Sequence, residues 1–180
     1  VRPLKGSSGY SILWTTLTDR GEALYAMIVG EDGKPKSTTI EVARTTNDIV
    51  WSESIPTDRG TLITWAEETR EGSATVFSIA FDVDGKSRHV AGRIVRRASG
   101  WQIISAPFGA FLVAQTIPEN LKGSSPDARA LLLQAIDANG QPRGEPISIA
   151  KAEPIAGDVE VVNAFGKTYI AWVQRSKESR

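Results

Sequence analysis

Cysteine is absent from this 180-residue chain, which excludes a disulfide framework, thiol catalysis and thiolate metal sites. Histidine and methionine occur once each, as His89 and Met27, so a transition-metal site built by this chain alone lacks its usual ligands. Charge of one sign is missing too, since 21 basic side chains balance 21 acidic ones. A nucleic-acid partner normally shows as a basic stripe and a high pI, and anionic lipid calls for a polybasic segment, so neither partner is expected. No apolar run approaches the roughly 18 residues that a membrane span requires. The opening Val1-Arg2-Pro3-Leu4-Lys5-Gly6 is neither an initiator methionine nor a signal peptide, which predicts a processed terminus.

What the chain does have is repetition. Four segments read as one hydrophobic strand launched from a glycine: Gly9 to Trp14, Gly60 to Trp65, Gly109 to Ala114, and Gly166 to Trp172. Their glycines stand 51, 49 and 57 residues apart, and three of the four strands end in tryptophan. After each of the first three comes a β-rich run closing on a tight turn: Tyr25 to Val29 into Asp32-Gly33, Val76 to Phe81 into Asp84-Gly85, and Leu131 to Ile136 into Asn139-Gly140. Asp-Gly and Asn-Gly best tolerate positive φ at both central positions, so type I′ hairpins are expected there. Weaker alternating strands follow at Thr39 to Ala43, Val90 to Val95 and Pro146 to Ala150. A further strand precedes copies two, three and four, at Ile49 to Ser52, Trp101 to Ser105 and Val159 to Val162. The leucine run within Asp127 to Ile136 aligns with strand positions of the other copies and is read as strand, leaving helix close to absent.

The sequence thus predicts an all-β chain of about three and a half four-stranded repeats, spanning approximately 1–46, 47–98, 99–156 and, in part, 157–180. A repeat of this kind cannot cover both of its faces alone, so neighbouring copies must stack to bury the apolar sides. The order of a Gly-led, Trp-ending strand, an aromatic strand and an Asp/Asn-Gly hairpin resembles bacterial β-propeller repeat proteins, with four-stranded blades, over about Gly9 to Gln174. Copy three departs from the pattern, with Ala114-Gln115 where tryptophan is expected and a polar insertion from Ile117 to Asp127. The resemblance implies a segment of a larger ring of about seven blades, within the usual range of 4–8. Another protein chain would complete it, as a second half that is identical or comes from a processed precursor. It implies a non-catalytic scaffold or protein-binding subunit and an extracytoplasmic location. The alternative is part of a propeller enzyme whose active site another chain or domain completes.

No catalytic, metal or cofactor site is expected. His89 lacks a nucleophile and a carboxylate at triad spacing. Asp82-Val83-Asp84-Gly85 resembles the start of a calcium loop, yet Lys86-Ser87-Arg88 follows where ligands should stand. Glu67 and Glu68 point to opposite faces of a strand and, with Glu71, read as a solvated connection. The one basic cluster is Arg93, Arg96 and Arg97, where alternation places Arg93 and Arg97 on one face and Arg96 on the other. These three, with Asn120 and Lys122 of the insertion, are the candidate partner-binding residues, and Pro56 to Gly60 and Pro118 to Asp127 the candidate contact loops.

Overall fold

The computed structural model describes residues 2–3, 9–69, 72–87, 89–118 and 128–174. These residues form twelve strands and no helix: β1 (Arg2–Pro3), β2 (Tyr10–Thr18), β3 (Gly21–Val29), β4 (Ile40–Thr45), β5 (Asp48–Thr57), β6 (Gly60–Glu68), β7 (Ala74–Asp82), β8 (Gly92–Ala106), β9 (Gly109–Thr116), β10 (Ala128–Asp137), β11 (Pro142–Ala164) and β12 (Lys167–Gln174). Every pairing is antiparallel and joins strands consecutive in sequence. The orders are linear, β1-β2-β3-β4 and β5 through β12, and neither sheet closes on itself. The leucine run of β10 is strand, as its alignment with the other copies predicts.

Two long strands change partners along their length. β8 pairs with β7 from Gly92 to Ala98 and with β9 from Ala98 to Ala106. At the exchange Arg97 sits at φ 56, in the left-handed region, just before a bulge between Ala98 and Gly100. β11 makes the same exchange, pairing with β10 up to Pro154 and with β12 from Ile155. The strands therefore group as four layers: β1–β4; β5–β7 with the start of β8; the rest of β8 with β9, β10 and the start of β11; and the end of β11 with β12.

The core lies between layers, and the pleat explains how. Successive strand residues point to opposite faces. On β6, Ile63 and Trp65 pack with Leu24, Ala26 and Val42 of the first layer. Leu62 and Ala66, on the other face of the same strand, pack with Ile103, Leu112 and Ile136 of the third. On β9, Leu112 and Ala114 look back to the second layer, while Val113 joins Val159, Val161, Ile170 and Trp172 of the fourth. A strand covered on both sides reads as a continuous apolar run rather than an alternating one. Residues 60–66 of β6 are accordingly all buried.

The leading glycines have a steric reason. Gly60 and Gly109 lie at φ 143 and 144, and a Cβ there would stand 2.1 Å from the Phe81 carbonyl oxygen and 2.3 Å from that of Ile136. Only glycine lets the central strand start so close to the end of its neighbour.

Two expectations about the turns need correction. The Asp/Asn-Gly hairpins are not type I′, because positive φ occurs only at the glycine of each: Gly33, Gly85 and Gly140. In the second copy Asp82 donates its N–H to the Lys86 carbonyl and Gly85 donates to that of Asp82, closing a three-residue loop. Such a loop is a type I turn followed by a left-handed glycine, so one positive φ suffices. The true two-residue turn with positive φ at both positions is Phe165-Gly166, at φ 51 and 71. Ala164 therefore pairs with Lys167, whereas Ala106 pairs with Gly109. Lys167, not Gly166, takes the leading position of β12, and Trp172 follows it by the same five residues that separate Gly60 from Trp65.

Candidate functional site

The basic cluster is only partly a surface. Arg93 and Arg96 are exposed on β8, but the expected alternation fails because bulges separate the pairs Ala74–Ala98, Val76–Val95 and Phe77–Arg93. Ile94 and Val95 are consequently buried side by side. Arg97 is half-buried at the strand's change of partner, where its carbonyl accepts the Ile117 N–H at 2.9 Å. Its role is to turn the backbone. Asn120 and Lys122 lie outside the described residues, as do Arg88 and Glu71.

Three turns converge at one end of the layers: Thr57 to Gly60, Ala106 to Gly109 and Asp137 to Gly140. Between them lies a cavity of about 600 Å³ lined by Pro56, Asp58, Arg59, Phe108 and Asn139 among others. An adjoining hollow of about 430 Å³ shares Arg59 and Asn139 and adds Asp82, Asp84, Lys86 and His89. Phe108 is set edge-on to Phe111 at 5.0 Å, with the Arg143 guanidinium 5.2 Å from its ring centre. The candidate loop Pro56 to Gly60 thus does line a concave surface.

Two of the carboxylates around it, those of Asp82 and Asp137, are engaged in turn chemistry. Asp82 Oδ1 accepts the N–H groups of Asp84 and Lys86 at 3.1 and 2.8 Å. Asp137 Oδ1 accepts those of Asn139 and Gln141, both at 2.9 Å. Among the described residues no group of three or more His, Cys, Asp or Glu is placed to hold a metal ion. His89 is exposed, and its backbone carbonyl takes the Ser87 hydroxyl at 2.6 Å. Among the described residues no helix is long and apolar enough to cross a membrane.

At the other end of the same strands Trp51 and Trp101 meet edge to face at 5.7 Å. They border a hollow of about 350 Å³ with Gln102, Gln115 and Glu160. Gln102 is committed to structure, since its Oε1 accepts the Val161 N–H at 2.7 Å. Nearby, Glu67 accepts from Thr45 Oγ1 at 2.7 Å, Asn47 Nδ2 at 3.3 Å and Trp65 Nε1 at 3.0 Å. The sequence suggests a solvated connection at Glu67; the structure makes it one of the ties between the first and second layers. The available signal was its position two residues after Trp65, which puts both side chains on one face.

The two outermost layers complete the surface. Trp14 stacks on Tyr25 at 5.7 Å and 22°, and Trp65 stacks on Phe77 at 5.4 Å and 17°. Both tryptophans stand five residues after their leading glycine, on cross-strand partners. Trp65 is 2 % exposed beneath the first layer, whereas Trp14 is half-buried and its strand neighbour Tyr10 is 42 % exposed. Tyr25 also carries the Glu41–Arg44 pair, whose hydrogen bond holds the Glu41 carboxyl below the usual carboxylate range and raises Arg44. At the far end Tyr169 and Val173 of β12 are exposed, with Val162 opposite Tyr169. No protein-family model, curated protein or solved structure matches this chain.

Proposed function

We propose that the chain is a run of β-propeller blades serving as a non-catalytic, protein-binding scaffold segment of a ring. The observation that carries this reading is the division of labour on β6 and β9, where alternate residues of one strand pack into the layer before and the layer after. Each layer is a four-stranded antiparallel meander, or the first half of one, and the passages from the second layer to the third and from the third to the fourth each run through a single strand that changes partners. Radial repetition of this kind is how propellers protect their sheet edges. Binding, rather than catalysis, is favoured because Asp82 and Asp137 of the turn-end cleft are spent on backbone N–H groups.

The cleft of Arg59, Phe108 and Asn139 is the proposed contact surface, since loops on a rigid frame carry recognition. A photoreactive residue at Arg59 or Phe108 in the native particle tests it. Cross-links to one defined protein from both positions, and not from the exposed Lys34, support the reading. Labelling that is equal at all three positions overturns it.

A further inference from the structure

We infer that the hollow beside Trp51 and Trp101 is a recognition site for the guanidinium group of an arginine side chain on a protein partner. The site is separate from the turn-end cleft, which lies at the opposite end of the same strands. Only the partner's being a protein rests on the binding reading above.

One backbone device recurs in three successive layers. The first strand of the second layer is bulged between Ile49 and Trp51, that of the third between Ala98 and Gly100, and that of the fourth between Ala156 and Glu160. A bulge bends its strand and re-aims the side chains beside it. Trp51, Trp101 and Glu160 follow these bulges, and each stands opposite an alanine: Ala66, Ala114 and Ala171. A small cross-strand partner leaves a long side chain room to lean across its own sheet. All three side chains line one hollow of about 350 Å³. The two tryptophans pack on the core shared by the second and third layers, so their place is an internal junction and not an end face.

The lining suits a cation that carries N–H donors. Two half-buried indoles stand with their planes at 73°, and a cation over a tryptophan face is drawn by the ring's quadrupole. Glu160 is the only ionisable side chain of the lining, and it is exposed. Its carboxylate accepts one long hydrogen bond, from Gln102 Nε2 at 3.4 Å, and among the described residues no basic side chain pairs with it. The Gln102 amide is fixed at its other end, where Oε1 accepts the Val161 N–H at 2.7 Å. Arg129 donates through Nε to Ser99 Oγ and through Nη1 to the Ala128 carbonyl, both at 3.0 Å, and does not line the hollow.

A guanidinium answers both features at once. Its plane stacks on an indole while its fork of N–H donors reaches a carboxylate, which the point charge of a lysine ammonium matches less well. The volume stands near the lower end of small-molecule clefts, roughly 300–1,000 Å³, and so gives room for one such side chain.

Titration of the isotope-labelled chain with N-acetyl-arginine methylamide, followed on the indole N–H signals, tests the inference. The signals missing from Trp51→Phe and Trp101→Phe are expected to move and saturate, while those of Trp14, Trp65 and Trp172 stay in place. The lysine counterpart, and Glu160→Gln with the arginine probe, are each expected to bind about tenfold more weakly, the worth of one charge-assisted hydrogen bond. Glu160→Lys places a cation of the chain's own in the hollow and is expected to abolish the shift. Should a Trp→Phe variant lose its far-ultraviolet dichroism, the two Glu160 variants, at an exposed position, decide the matter. No saturable shift, a shift shared equally by Trp14, lysine bound as tightly as arginine, or an unchanged Glu160→Lys overturns the inference. Methylguanidinium that binds where the arginine probe does not overturns the partner's arginine in favour of a free small cation. Failure here leaves the cross-links expected at Arg59 and Phe108 untouched, whereas arginine binding without those cross-links removes the turn-end cleft alone.

Discussion

The Ser11 and Ser54 hydroxyls lie 2.5 Å apart in the buried seam between β2 of the first layer and β5 of the second. They are 43 residues apart in sequence, so the contact belongs wholly to the stacking of layers. With no native cysteine to compete, Ser11→Cys with Ser54→Cys is expected to oxidise to one intramolecular bridge. A loop of that length predicts a gain of roughly 2–4 kcal/mol. Loss of free thiol and a rise in the urea midpoint check it; two thiols that stay reduced in air contradict the seam.

The covered and uncovered tryptophans offer a matched pair. Trp65→Ala empties a fully buried site and is expected to cost about 3–5 kcal/mol. Trp14→Ala removes a half-buried ring with the same stacking geometry and is expected to cost about 1–2 kcal/mol in a monomeric chain. Urea unfolding of the two variants, compared at equal m-values, decides this. Equal costs would mean that the outer face of the first layer is already covered.

Much of this architecture is legible in the residues, and the misreadings have physical causes. Strand positions follow from apolar runs and the spacing of Gly9, Gly60 and Gly109, because those glycines answer a backbone clash that recurs in each copy. The hairpin type was not legible: an Asp-Gly pair serves a two-residue loop and a three-residue loop equally well, and the carboxylate of Asp82, two residues upstream, selects the longer one by accepting two N–H groups. Gly166 imitates a leading glycine, yet Phe165 and Gly166 both adopt positive φ and pass the leading role to Lys167. The basic cluster misled because alternation assumes an unbroken ladder, and bulges along β8 set Ile94 and Val95 both inward.

Glu67 helps to hold the first seam at its other end, beside Glu22, whose carboxylate accepts the Ile49 N–H. Glu67→Ala leaves Trp65 Nε1, Thr45 Oγ1 and Asn47 Nδ2 without that acceptor. Unsatisfied groups at a half-buried site predict a loss of about 1–3 kcal/mol. Glu67→Gln keeps an oxygen acceptor and is expected to recover part of it. Chemical denaturation measures both, and a neutral Glu67→Ala would remove the tie.

Gly33 and Gly140 separate backbone strain from interlayer contact. Both lie in the left-handed region, at φ 75 and 80, so alanine at either position pays a conformational cost of about 1–2 kcal/mol. At Gly33 that is the whole effect, since the added methyl meets nothing within 4 Å. At Gly140 the methyl would also stand 2.9 Å from the backbone of Ile79 and Ala80, and the Gly140 carbonyl that accepts the Ser78 hydroxyl at 2.6 Å would have to move with it. Gly140→Ala is therefore expected to lower the urea midpoint clearly more than Gly33→Ala does. Equal shifts would show that the third layer does not press its hairpin against the second.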